Sequence, residues 1–378
     1  MYLCKLIIIG KMFWQFTING LITGVLYSLL AIGFALVYNT TRIFHIAAAG
    51  IYVFAAYMLY LFSSVCGLPL LLAALMAVML SAALSLAMET TVYRPLKRIK
   101  VPRGLSTDAS KGKRKVSIAL KRDKATPNID LVATFGKVTM NITLKRRKTT
   151  PDVALIASIG IMTVVISTIT MIFGTAAKTV NYTLPARPLQ MAMSSLSNMA
   201  NMLFGTRIAR YSASDSILHL GAVSVTVPQI IQITCGLMII IAFLCALKWT
   251  NLGTRLRALS NDEPLYETMG HNPQRSRNVL FLISGAFIAL ASILTVFESG
   301  MDATIGMQSL IYAMVAIVIG GMGRYRTCVL GGLLLGIIQS LLYIHIEATW
   351  TDAITFLILI LMLYLRPQGI AGYKQRTV

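Results

Sequence analysis

Six stretches of about 20 apolar residues, near 17–38, 43–63, 68–92, 152–173, 228–248 and 278–298, limit what this chain can fold into. A helix of that length crosses the hydrocarbon of a bilayer, where backbone polar groups must be satisfied within the segment. A further apolar region, 307–365, divides at Gly323-Arg324-Tyr325-Arg326 and again between Glu347 and Asp352. It supplies three shorter spans, or two spans and a re-entrant piece. Composition agrees, with 56% of the 378 residues hydrophobic and 12% charged. A soluble domain carries about 25% charged residues. The expected fold class is an all-α polytopic membrane protein with eight or nine transmembrane helices, which excludes an ordinary soluble enzyme. Met1 to Gly10, with Lys5 and no small-residue cleavage site, reads as the start of the first membrane helix.

The net charge is +21, from 34 Lys+Arg against 13 Asp+Glu. Such an excess suits nucleic acid or an anionic membrane surface, so its location decides. Residues 94–150 hold 17 basic and 3 acidic residues, which places +14 in one segment. Arg42, the 248–277 loop, Arg324 with Arg326, and the tail from Arg366 hold most of the remaining Lys and Arg. Basic loops resist translocation, so these five regions are expected on the cytoplasmic side. The loops 63–69, 174–227, 299–308 and 347–352 then lie outside. Counting nine crossings puts the N-terminus outside and the C-terminus in the cytoplasm.

Three regions follow: helices 1–3 in 1–96, a basic cytoplasmic insertion in 97–151, and the remaining helices in 152–378. Within the insertion the hydrophobic period becomes two. Val116, Ile118 and Leu120 alternate with polar residues, as do Leu131, Ala133 and Phe135, then Val138, Met140, Ile142 and Leu144. A small three-stranded antiparallel β element is expected, fed by a disordered basic stretch. Nucleic-acid binding would interleave basic residues with aromatics for stacking. Phe135 is the only aromatic between Tyr93 and Phe173, so no nucleic acid is expected as a partner. Anionic lipid suits a juxtamembrane polybasic segment better. The periplasmic loop 174–227 shows Leu196, Met199, Met202 and Leu203 at helical spacing, and Val223, Val225 and Val227 alternating before Pro228.

The 249–277 loop is written as two short helices. Asn261 or Asp262 can cap the second, with Pro264 in its first turn and Asp262 and Glu263 at the positive end of its dipole. Gly270 stands where a left-handed terminal residue belongs, and Pro273 bars continuation. Leu265 and Met269 at i, i+4, with Tyr266 beside them, are expected on an exposed side. They form either a docking knob for a partner or a helix packed on its own protein.

Hydrolytic and redox constellations are missing from the sequence. Four scattered histidines (His45, His219, His271, His345) pair with no nucleophile or carboxylate at metal spacing, and the five cysteines show no ligand pattern. A Gly-rich loop ending in Lys-Ser/Thr is also missing, so the chain does not itself cradle ATP phosphates. No cofactor, no metal and no enzymatic activity are expected. His45 is a titratable group near the inner end of a span, while Glu89 and Glu298 fall near helix ends. An ion-coupled carrier would hold carboxylates near the bilayer midplane. Their scarcity points to an energy source outside this chain.

The 249–277 loop resembles the coupling loop of bacterial ABC-importer permeases, and the chain as a whole resembles the branched-chain amino acid ABC-transporter permease family. The likeness is carried in family order by Asn19-Gly20-Leu21 through Val37-Tyr38, Tyr93-Arg94-Pro95-Leu96 and Leu155-Ile156-Ala157-Ser158-Ile159-Gly160. It continues in Leu252-Gly253 through Gly270, Gly320-Gly321-Met322-Gly323, Gly331 through Gly336, and Leu365-Arg366-Pro367-Gln368-Gly369-Ile370. Three departures stand out. Pro264-Leu265 and Glu267-Thr268 replace the coupling-helix alanines. His45 through Gly50 lacks the family's His and acidic residue, and about 50 residues are inserted after Leu96.

The resemblance implies a membrane subunit of an importer in the cell inner membrane, with two ABC ATPase subunits, a second permease subunit, identical or homologous, and a periplasmic or surface solute-binding protein. It implies contact with the ATPases through Asp262, Glu263, Leu265, Tyr266, Met269 and Gly270. A pathway would border His45, Gly50, Gly320, Gly321 and Gly323. Branched-chain amino acids, urea or short-chain amides fit as cargo, and a transport-incompetent anchor presenting the basic insertion is the other class.

Overall fold

The computed structural model describes residues 2–95, 117–122, 128–135, 138–145, 151–179, 209–212, 217–220, 223–261, 263–321, 323, 325–344, 346–366 and 369–370. The helices are α1 (Tyr2–Thr41), α2 (Ala48–Tyr60), α3 (Leu70–Met88), α4 (Pro151–Phe173), α5 (Val227–Trp249) and α6 (Asn251–Asn261). They continue with α7 (Glu263–Thr268), α8 (Pro273–Ser299), α9 (Ile305–Gly320), α10 (Tyr325–Leu342) and α11 (Ala348–Leu365). Turns of π-helix extend α2 over Leu61–Val65 and α3 over Glu89–Tyr93.

Seven segments are long and apolar enough to cross a membrane: Met12–Thr41, Ala48–Val65, Leu70–Tyr93, Val153–Phe173, Val227–Trp249, Pro273–Ser299 and Tyr325–Leu342. Ile305–Gly320 and Trp350–Leu365 are apolar but shorter. The eight or nine expected spans thus become, among the described residues, seven of full length and two short ones. The last apolar region forms three helices that part near the two expected breaks. At the first of these, Gly321 and Gly323 take φ of 99° and 115°, a conformation that Cβ-bearing residues rarely reach.

Contacts sort the helix ends into two sets. At one end, Gln15 Nε2 donates to Ser224 O (2.8 Å), Gln229 Nε2 to Glu298 (2.7 Å) and Gln308 Nε2 to Asp352 (2.9 Å). At the other, Ser260 Oγ donates to Asn39 O (2.6 Å), Thr327 Oγ1 to Gly321 O (3.1 Å), and Ile370 N to Ile319 O (2.9 Å). α9, α10 and α11 each run between these two ends.

Burial separates inner from outer helices. In α1, 83% of the most apolar window is buried, against 11% in α4 and 17% in α5. Leu71, Leu75 and Met79 of α3, Ile156, Val164 and Met171 of α4, and Leu357, Ile360 and Tyr364 of α11 are exposed. In water such continuous apolar faces would aggregate; lipid tails suit them.

Between apolar helices in lipid, close backbone approach and interhelical hydrogen bonds supply the attraction. The α1–α10 seam uses both. A Cβ on Gly20 would sit 2.8 Å from Ile337 Cα, and one on Gly24 2.9 Å from Leu333 Cα, so only glycine permits this approach. Ser28 Oγ donates to Val329 O (2.9 Å) and Ser340 Oγ to Phe16 O (2.5 Å) across it. Serines fasten the central helices in the same way: Ser284 to Gly33 O, Ser85 to Phe281 O and Ser292 to Tyr52 O, at 2.6, 2.7 and 2.6 Å.

Within 97–151, strands β1 (Ser117–Arg122), β2 (Asn128–Phe135) and β3 (Val138–Lys145) form an antiparallel sheet in that order. A second sheet follows from β4 (Ala209–Ser212), β5 (Ile217–Leu220) and β6 (Val223–Thr226), with His219 opposite Arg210 and Ser224. The helix expected around 196–203 lies outside the described residues.

Candidate functional site

Local signals shape the 249–277 loop. α6 ends at Asn261 and α7 spans six residues. Gly270, with φ 82°, donates its N–H to Glu267 O (3.0 Å) and reverses the chain. Asn272 then caps α8, its Oδ1 accepting from Gln274 N (2.9 Å) and Arg275 N (3.3 Å), with Pro273 at the first position.

Leu265 of α7 is 53% exposed, and Met269, in the turn that follows the helix, is 65% exposed. Tyr266 is not beside them at the surface, as the sequence suggested. It is 3% exposed, with its hydroxyl 2.8 Å from Ser276 Oγ and its ring 5.1 Å from that of His271. On so short a helix, neighbouring positions point about 100° apart, and the tyrosine takes the inward side. Glu263 is likewise engaged, in an ion pair with Arg277 of α8. Asp262 lies outside the described residues.

Arg277 connects this helix to the bundle. Its side chain is 5% exposed, and it interacts electrostatically with Glu89, itself buried in the π turn that ends α3. The same turn carries Tyr93, whose hydroxyl donates to Ser158 Oγ of α4 (3.0 Å) and lies 2.9 Å from His45 Nδ1. With the tyrosine proton given to Ser158, the His45 proton is assigned to Nδ1. Ala47 N donates to Ser158 Oγ as well (2.8 Å), closing a buried junction of the α1–α2 loop, α3 and α4. His45 is fully buried, stacks edge-on against Phe281 of α8 at 5.5 Å, and its Nε2 meets no hydrogen-bond partner among the described residues. Burial pushes its pKa down to about 4, so the ring is neutral at pH 7.

The other expected pathway residues are spread apart. Gly50 packs α2 on α4, where a Cβ would come 3.3 Å from Val165. Gly320 is buried where α9 meets the start of α10, and Gly321 and Gly323 shape the turn between them. Among the described residues, no group of His, Cys, Asp and Glu side chains could hold a metal. Sequence reasoning overlooked Tyr93, Ser158 and Arg277 as site residues. Tyr93 and Ser158 stood inside quoted motifs, and Arg277 was counted only as a loop charge.

The pattern of a family described as "Branched-chain amino acid transport system / permease component" matches residues 16–103 and 136–363. The lapse at 104–135 falls inside the basic insertion. The high-affinity branched-chain amino acid transport system permease protein LivH of Escherichia coli is 29% identical over 150 residues, 39% of this chain and 49% of that protein. BraD of Pseudomonas aeruginosa, of the same description, is 29% identical over 154 residues, 40% and 50% of the two chains. A probable branched-chain amino acid transport permease of Methanocaldococcus jannaschii is 26% identical over 143 residues, 36% and 45%. The chain spans about half the length of the curated relatives it matches. The solved structure of PsaBC from Streptococcus pneumoniae in complex with Fab overlays 93% of this chain and 91% of that one, at 11% identity and TM-score 0.41, a likeness too slight to carry an argument.

Proposed function

We propose, from the premise that this chain belongs to the branched-chain amino acid transport system permease component family, that it is the membrane subunit of an ATP-driven importer of branched-chain amino acids. Nine helices cross the cell inner membrane, with the His45 end, α6, α7 and the C-terminus in the cytoplasm and the Glu298 end outside. Two ATPase subunits drive a pair of permease subunits, and a solute-binding protein delivers cargo at the Glu298 end. The basic 97–151 segment lies against anionic lipid.

The observation that carries this reading is α7 and the turn after it: an exposed pair, Leu265 on the helix and Met269 just past its end, with the helix held from behind by Tyr266 and Glu263. Apolar side chains on a rigid, outward-facing helix suit a groove in a partner. Movement of α7, forced by ATP-dependent closure of the ATPases, reaches α8 through Arg277 and tilts the helices that α8 fastens. This is gating by rigid elements, which requires no chemistry in the chain itself.

The test is uptake of labelled leucine by proteoliposomes holding the complete transporter, with and without ATP, with urea and acetamide as competitors. ATP-dependent leucine uptake that neither competitor inhibits supports the reading. Co-purification of the ATPases without any solute uptake would favour the anchor instead.

A further inference from the structure

A cavity of about 250 Å³ lies between α1, α5, α8 and α10 at the Glu298 end. Glu298 and Tyr343 stand exposed at its rim, while Gly336 and Gln339 are buried at its floor. Asn19 and Tyr27 line the α1 wall, and Phe16 and Ile22 add apolar surface. Below the floor, α1 and α10 touch at Gly24 and Gly336, so the space ends there.

The polar groups are arranged rather than scattered. Gln229 uses both ends of its amide: Oε1 accepts from Thr226 N (3.1 Å) and Nε2 donates to Glu298 Oε1 (2.7 Å). It therefore holds the carboxylate without neutralising it, and a carboxylate has further acceptor sites to offer. Asn19 Oδ1 accepts from Gln15 Nε2 (3.3 Å), which leaves its two N–H donors without a partner among the described residues. A negative acceptor and neutral donors thus border one space with apolar patches between them. A small-molecule site combines such features, a few placed polar groups in an otherwise greasy pocket.

We propose that this cavity binds a free α-amino acid with an aliphatic side chain. Glu298 takes the ammonium group, Asn19 and the Tyr27 hydroxyl take the carboxylate, and Phe16 and Ile22 receive the side chain. The inference deepens the transport reading above, on which it rests for its cargo class. Size agrees: a cavity of about 150 Å³ holds a six-carbon ring, so this one accommodates the roughly nine non-hydrogen atoms of leucine. Urea is far smaller and has no cation for Glu298.

Thiol protection tests the site separately from transport. In the assembled transporter with Cys66→Ser, the Tyr343→Cys variant reports access through its labelling by a negatively charged, membrane-impermeant methanethiosulfonate. Leucine at ten times its dissociation constant should slow labelling about tenfold, since occupancy follows mass action. The keto acid of the same skeleton, which has no ammonium group, should not protect. Glu298→Gln should weaken protection about tenfold by removing a charge-assisted hydrogen bond, and Asn19→Ala provides a second variant with the same expected direction. Unaltered labelling at saturating leucine overturns the site, whether or not uptake proceeds. Protection in a preparation without ATP-dependent uptake would sustain the site and sink the transport reading instead.

Discussion

Glu263 on α7 and Arg277 on α8 form an ion pair in which the arginine side chain is 5% and the glutamate 43% exposed. The asymmetry decides what each substitution does. Losing Glu263 leaves a buried guanidinium short of one partner, a change that costs about 3–5 kcal/mol for fully buried pairs and less where one partner is half exposed. Glu263→Gln should therefore loosen α7 and, on the proposed function, reduce uptake severalfold while the ATPases still hydrolyse ATP. Uptake per ATP hydrolysed, measured in the same vesicles, is the readout; an unchanged ratio would remove Arg277 from the coupling route.

Leu265 and Tyr266 are neighbours with opposite roles. Leu265→Asp should abolish co-purification of the ATPases and leave thermal stability unchanged, because the side chain faces outward. Tyr266→Ala removes a buried aromatic and should lower stability by roughly 3 kcal/mol, in line with large-to-small core changes. Thermal unfolding in detergent together with a pull-down separates the two. Equal stability losses would contradict the burial difference.

Acid should destabilise the chain through His45. Its folded pKa lies near 4, below the ordinary 6.5, so the folded form excludes a proton that the unfolded form accepts. The stabilising contribution is complete above about pH 6.5 and is lost as pH falls toward 4, about 3 kcal/mol in all at 1.36 kcal/mol per pKa unit. His45→Gln should flatten the stability profile between pH 7 and 5. A variant with the wild-type acid response would acquit this histidine.

Two glycines make a matched pair of controls. Gly24→Val places a side chain against the α10 backbone, where a Cβ already comes 2.9 Å from Leu333 Cα. Overpacking of this kind costs about 1–3 kcal/mol. Gly160 lies on α4 with nothing within 4 Å of a built Cβ. Gly160→Ala should be neutral or stabilise by up to about 1 kcal/mol through helix propensity. Folded yield by size-exclusion chromatography distinguishes them, and a tolerated valine at position 24 would refute the tight seam.

Span positions were legible because an apolar run of fixed length leaves a bilayer-crossing helix few alternatives. The turn at Gly270 was equally local and readable, whereas Pro273 was read only as a stop for the preceding helix and the Asn272 cap of α8 went unread. What stayed hidden were relationships across sequence distance. Tyr93, His45 and Ser158 are each unremarkable in their own segments and acquire meaning only when two helices and a loop bring their polar atoms within 3.0 Å. The wrong side for Tyr266 has the same origin. Within a six-residue helix, periodicity cannot say which stripe faces the protein, and that is settled by Ser276, ten residues away.

The π turn that closes α3 has a consequence for how that helix keeps its phase. Ser81, Ser85, Glu89 and Tyr93 are all buried at intervals of four. In an unbroken α-helix each interval of four drifts by about 40° around the axis. By Tyr93 the accumulated drift would carry the ring toward lipid. A π turn closes its hydrogen bonds one residue later and rotates less per residue, so over Glu89–Tyr93 the drift reverses. The turn thus acts as a phase correction, letting one helix show leucines to lipid along its length and still deliver its last tyrosine to the histidine junction.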